Sequence, residues 1–178
     1  MPRELIITMA AANRAGILAA VTRAMTELNG DLREASQTVV RGFFTMIFST
    51  EFPDSMDQCV IRDHLLDACR PFGIELSVRD PSAHLPVYTA ATATTRQYRL
   101  RLGGRNQPGV LRKLSQVMSL KGIDITGMHA IRTDDGHSFE MVLKLALPQD
   151  CSVENLLHEL NDAGRDFDVT AELREAGE

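Results

Sequence analysis

Asn13-Arg14-Ala15-Gly16-Ile17-Leu18 returns later in the chain as Asn106-Gln107-Pro108-Gly109-Val110-Leu111, at an offset of 93 residues (106 minus 13). The offset holds downstream: Val21 falls on Leu114, Met25 on Met118, Asp31 on Asp124 and Leu32 on Ile125. A constant offset across a loop, a helix and the start of a strand points to duplication of a whole domain. The repeated unit is a polar, glycine-containing loop leading into an apolar helix. It therefore also marks the surface where function is expected.

The rest of each copy reads outward from that loop. Leu5 to Met9 forms a strand before it. Ile17, Leu18, Val21, Met25 and Leu28 recur at helical spacing behind it and define one apolar face. Asn29-Gly30 closes the helix, since both residues tolerate a left-handed cap. Leu32 to Val40 reads as a second strand, and Phe44, Met46 and Phe48 alternate as a third. Asp54-Ser55 offers capping oxygens to a helix that buries Ile61, Leu65, Ala68 and Phe72 and stops at Pro71 and Gly73. Ile74, Leu76 and Val78 alternate as the fourth strand.

The second half repeats the order. Tyr98, Leu100 and Leu102 alternate, with Arg99 and Arg101 on the opposite face. The helix after the loop turns Val110, Leu111, Leu114 and Met118 inward and ends at Gly122. Ile125 to Arg132 and Phe139 to Leu145 form two strands around a turn at Asp134-Asp135-Gly136. Ser152 caps a helix carrying Leu156, Leu157, Leu160 and Ala163, and Phe167, Val169, Ala171 and Leu173 alternate as the last strand. The expected fold is α+β: two ferredoxin-like βαββαβ domains, each an antiparallel sheet with its helices on one face. The domains are expected at 1–80 and 96–178. They are joined by a linker, 81–95, that is rich in Ala, Thr and Pro and has no periodicity.

Composition narrows the function. The 178 residues include 44% hydrophobic and 24% charged residues, and the net charge is −5. No Lys/Arg-rich run exists, which argues against direct nucleic-acid binding, because that needs a basic face to neutralise phosphates. Cys59, Cys69 and Cys151 fit neither a disulfide framework nor a zinc spacing and suit a reducing cytoplasm. The first apolar stretch is broken by Asn13-Arg14, so no signal peptide is expected. No apolar run approaches the roughly 20 residues needed to span a membrane.

Several motifs imitate chemistry. Asp166-Phe167-Asp168-Val169-Thr170 matches the Asp-x-Asp-x-Thr of aspartyl-phosphate phosphatases. That motif requires an apolar strand before it, and Ala-Gly-Arg stands there instead. Gly104 to Gly109 is half a phosphate loop, but Val110-Leu111 replaces the Lys-Ser/Thr that reaches the terminal phosphates. Gly136-His137-Ser138-Phe139-Glu140 ends in Glu where a nucleophile elbow needs Gly. His64 lies five residues from both Cys59 and Cys69, off the three-or-four spacing that puts ligands on one helical face. His129 reads as an ordinary strand histidine. No catalytic constellation, metal site or cofactor is expected.

The duplicated loop survives this sifting. A helix N-terminus presents unpaired amides that favour an anion. Gly16 and Gly109 remove a side chain and let a small ligand approach the backbone. Asn13 and Asn106 can cap the helix or offer an amide to a carboxylate, and Pro108 suits the first turn. Asp31 and Asp124 follow the helix and could meet an ammonium group. Amides for a carboxylate and oxygens for an ammonium describe an amino-acid site. The candidate ligand-binding residues are Asn13, Arg14, Ala15, Gly16, Ile17 and Asp31, with Asn106, Gln107, Gly109, Val110 and Asp124.

Strand, Asn/Asp-Arg/Gln-Pro-Gly-Val/Ile-Leu, helix and then Gly-x-Asp/Asn-Ile is the pattern of the ACT domain, which this chain resembles, with Asn at the start of both loops where Asp is commoner. Gln107-Pro108-Gly109-Val110-Leu111 and Gly122-Ile123-Asp124-Ile125 carry the match. The first half departs from it at Ala15 and at Asn29-Gly30-Asp31-Leu32. ACT domains are regulatory modules that bind amino acids, typically between two copies. A tandem pair in a chain of this size is most similar to the glycine cleavage system transcriptional repressor family. The resemblance implies a non-enzymatic cytoplasmic regulator, dimeric, that senses a small amino acid, glycine or serine first. It would act on a protein partner, a transcription regulator of glycine cleavage. The alternatives are an interaction module without a ligand, or the detached regulatory part of an amino-acid or one-carbon enzyme.

Overall fold

The structure is a computed structural model that describes residues 2–82, 95–133 and 136–176. It divides into two compact units, Met1–Val87 and Tyr88–Glu178. The first runs β1 (Arg3–Ala12), α1 (Ile17–Glu27), β2 (Asp31–Val40), β3 (Phe43–Phe52), α2 (Gln58–Ala68) and β4 (Glu75–Arg79). The second runs β5 (Thr95–Arg105), α3 (Val110–Leu120), β6 (Asp124–Thr133), β7 (Ser138–Pro148), α4 (Val153–Gly164) and β8 (Thr170–Glu175). The sheets have matching orders, β2-β3-β1-β4 and β6-β7-β5-β8, and every pairing is antiparallel. This is the ferredoxin-like arrangement, present twice. Most of the linker and Asp134-Asp135 lie outside the described residues.

Each core follows from period-two alternation meeting period-3.6 alternation. Leu5, Ile7 and Met9 of β1 and Phe44, Met46 and Phe48 of β3 point at Val21 and Met25 of α1 and at Ile61 and Leu65 of α2. Leu100, Leu102, Leu143 and Leu145 meet Leu114, Met118, Leu156 and Leu160 in the same way. Arg99 and Arg101 face outward. One apolar expectation is corrected. Leu18 and Leu111 belong to the helical pattern, yet they are 49% and 38% exposed, because the second helical position turns away from the sheet.

Helix ends show which polar residues matter locally. Asp57, not Asp54 or Ser55, caps α2, accepting from the Cys59 N–H at 2.6 Å. Ser152 caps α4 as expected, accepting from the Asn155 N–H at 3.3 Å. Asn29 and Gly122 take the left-handed conformation after α1 and α3. The N-terminal strand is tied down at its start: Arg3 donates twice to the Asp80 carboxylate, at 2.8 and 3.0 Å. Ser82 donates to the same group, and with Arg3 it lowers the Asp80 carboxyl to about 2.

The last strand of the second unit starts later than alternation suggests. Arg165–Phe167 is a 3-10 turn, Asp168 is left-handed at φ 51, and β8 begins at Thr170. Arg70–Phe72 and Gly73, at φ 61, do the same in the first unit. Phe167 therefore reaches the core from a turn rather than from a strand. Gly104 and Gly164 make room for this crossing. A Cβ on Gly104 would stand 2.5 Å from the Asp168 carbonyl oxygen, and one on Gly164 would stand 2.9 Å from that of Val169. The apparent half of a phosphate loop is thus in part a packing glycine.

Candidate functional site

The two copies of the loop have nearly the same backbone. Gly16 and Gly109 precede α1 and α3 at φ 97 and 96, both left-handed, and neither helix has a side-chain cap. The glycine is required by the backbone, in addition to any room it leaves for a ligand. The expected asparagine cap is corrected, because each helix begins only after that glycine. Asn106 turns the other way. Its amide Nδ2 donates to the Gly136 carbonyl at 2.9 Å, and its backbone N–H donates to His137 at 2.8 Å. The Asn13 N–H likewise donates to Gly42 at 2.7 Å. Both loops are thus pinned to the neighbouring hairpin. Pro108 sits in the turn before the helix rather than in its first turn.

A cavity of about 340 Å³ opens at the head of α3. Asn106, Gln107, Gly109 and Val110, four of the candidate residues, line it together. Sequence reasoning missed its other walls: Leu111 and Arg112 of α3, Ala130, Ile131 and Arg132 of β6, and Phe139 and Met141 of β7. The signal for Arg132 was the pairing register. It stands opposite buried Phe139, so it shares the helix-facing side of the sheet. Among the described residues no carboxylate lines the cavity. Among the described residues neither Arg112 nor Arg132 has an ion pair.

Asp124 is not brought to this cavity. It follows the other end of α3, whose 11 residues span about 16 Å, and it edges a separate shallow groove with Ser119 and Gly122. Asp31 stands at the same place in the first unit. Its carboxylate lies 3.4 Å from Arg33, which also pairs with Glu51 at 2.5 Å. An aspartate of either unit therefore cannot serve the loop of its own unit.

The first loop differs at its mouth. Asn13, Arg14 and Ala15 are exposed and Ile17 is buried. The Phe72 ring lies 3.5 Å from where a Gly16 Cβ would stand, whereas a Cβ on Gly109 would meet nothing within 4 Å. The counterparts of Arg112 and Arg132 are Ala19 and Val39, the latter opposite Phe44 as Arg132 is opposite Phe139.

The decoy residues are engaged separately. Asp166 accepts from Lys113 at 2.8 Å, which holds its carboxyl below the usual range. Asp168 pairs with Arg105 at 3.3 Å. His64 meets Glu27 at 2.8 Å, and Cys69 is buried at the end of α2, where burial pushes its thiol up. Among the described residues no helix is long and apolar enough to cross a membrane.

No family model matches the chain. A UPF0237 protein of Methanosarcina acetivorans is 35% identical over 75 residues, which cover 42% of this chain and 82% of that protein. Another from Methanopyrus kandleri is 30% identical over 87 residues, covering 48% of this chain and 91% of the relative. These relatives therefore have about the length of one of the two domains. Among solved structures, an unknown protein from Galdieria sulphuraria superposes with a TM-score of 0.81 at 20% identity, covering 99% of both chains. A candidate glycine cleavage system transcriptional repressor superposes with a TM-score of 0.69 at 15% identity, also covering 99% of both. Those two likenesses are of fold, and they cover both units. The fold is a tandem pair of ferredoxin-like βαββαβ domains, and by its sequence relatives the chain belongs to the UPF0237 family.

Proposed function

We propose that this is a non-enzymatic regulatory protein that senses a small amino acid at the head of α3 and reports it to a protein partner. The observation that carries the reading is the cavity formed where the duplicated loop meets α3. The ligand's carboxylate would take the free amides of the first turn, near Gly109 and Val110, with Asn106 and Gln107 beside it. Its ammonium would need Asp31, Asp124 or strand carbonyls of a facing copy, so the complete site is formed in a homodimer. Asn13, Arg14, Ala15, Gly16 and Ile17 form the corresponding second site.

Glycine and serine are the first ligands to test. The fold shared with a candidate glycine cleavage system transcriptional repressor supports a regulator of that kind, acting in the cytoplasm on a transcription regulator without touching DNA itself. A second reading, an interaction module without a ligand, draws support from β2, all ten of whose residues are exposed. An exposed sheet edge invites pairing.

A thermal-shift scan against the twenty amino acids separates the two. At 100 times its dissociation constant a ligand adds about 2.7 kcal/mol, which is roughly 5–10 °C at this size. Selective stabilisation by one small amino acid is the expected result. A flat response across the panel would sink the sensor and leave the interaction module.

A further inference from the structure

The amino-acid reading leaves the cavity's own charge unused. Among the described residues its polar side chains are Asn106, Gln107, Arg112 and Arg132, with no acid among them. Elsewhere some arginines are paired, Arg3 with Asp80, Arg33 with Glu51, Arg62 with Asp63 and Arg165 with Asp162, while others such as Arg14, Arg41, Arg99 and Arg101 have no ion pair among the described residues and line no shared cavity with each other. Here two guanidinium groups line one mouth without a partner among the described residues. Like charges at one site repel, and an anion between them relieves that repulsion. A guanidinium also presents a planar fork of donors that fits a carboxylate with two parallel bonds.

The duplication supplies an internal comparison. The first unit has the same strand order and the same left-handed glycine, but Ala19 and Val39 stand where the second unit has Arg112 and Arg132. The arginine pair is therefore not something the fold requires. The remaining walls are apolar, with Val110, Phe139 and Met141 buried behind the mouth. Such walls suit a short carbon stem and leave charge to be matched only at the rim.

We propose that this cavity takes a small ligand with two anionic groups on a short stem. Within the amino-acid reading above, on which that identification rests, the ligand is an acidic amino acid rather than glycine or serine. One carboxylate meets the start of α3 beside Arg112, and the other meets Arg132. A ligand with a single carboxylate leaves one guanidinium unmatched. The two units are then unequal receptors, and only the second is built for a dianion.

The test is calorimetric titration of the full chain with aspartate, glutamate, glycine, serine and succinate, repeated on Arg112→Gln and Arg132→Gln. An acidic amino acid should bind at least about tenfold more tightly than glycine or serine, and each variant should weaken it by about tenfold. The variants should leave the melting temperature unchanged, since both side chains are exposed. If glycine or serine binds as tightly as glutamate and ignores Arg132→Gln, the dianion proposal falls while the amino-acid reading stands. If succinate alone binds, and the variants weaken it, the dianion site stands and the amino-acid reading falls. Silence from all five compounds overturns the dianion proposal and leaves the amino-acid reading to stand or fall on the twenty-compound scan.

Discussion

Gly109 and Gly104 look alike in the sequence and do different work. Gly109 holds φ 96 with open space where its Cβ would be, so its constraint is purely conformational. Gly104 has no room at all against the backbone of Asp168 and Val169. Gly109→Ala should therefore cost about 1–2 kcal/mol through the left-handed backbone alone, and Gly104→Ala about 3 kcal/mol through overpacking. Urea denaturation of both variants checks the order, and equal midpoints would contradict it. A valine at position 109 would strain the backbone as well as block a ligand, so Arg132→Gln is the cleaner probe of binding.

The same comparison shows what the sequence could reveal. The importance of Gly16 and Gly109 was legible from repetition, but the reason was half hidden, because a left-handed torsion leaves no mark in composition. Asn106 was legible as a loop residue. Its tie to Gly136 depends on a hairpin contact 30 residues away. Arg112 and Arg132 were invisible as a pair. They are 20 positions apart, and only the β6–β7 register turns Arg132 to the side that faces α3.

Among the elements, α3 gives the sharpest contrast. Leu111 and Leu114 belong to one apolar pattern, yet Leu111 is 38% exposed and Leu114 only 1%. Leu114→Ala should cost about 2–5 kcal/mol, whereas Leu111→Ala should stay within about 0.5 kcal/mol. Chemical denaturation gives both values, and a large loss at Leu111 would mean that this face is covered in solution. Alternation made the central strands legible because each has one dry and one wet face, whereas β2 is exposed along its whole length. Alternation failed at Phe167, which packs its half-buried ring against the core from a 3-10 turn and so counterfeits the first position of a strand. It also passes over the irregularities in the edge strands, between Leu32 and Glu34 and between Ile125 and Gly127. An extra residue there bends an edge and blunts its pairing.

For the whole molecule the main fact is that each unit has its own core. The cluster around Phe48 and Leu65 and the cluster around Leu143 and Leu160 share no residue. Relatives in the family have about the length of one such unit. Residues 95–178 expressed alone should therefore unfold cooperatively, with a transition visible by circular dichroism and in calorimetry. A fragment that aggregates or melts without a transition would show that the second unit depends on the first.

The pinning of Asn106 to the hairpin bears on how any message could leave the site. A loop held by Gly136 and His137, behind a glycine already in its final torsion, has little freedom left to surrender when it is occupied. Occupation of such a loop costs little ordering entropy and produces little motion for a partner to detect. What changes is the exterior itself: two bare cations become a neutralised, filled contour. A partner reading this end of the protein would then touch the guest directly, with small molecule and protein forming one composite epitope.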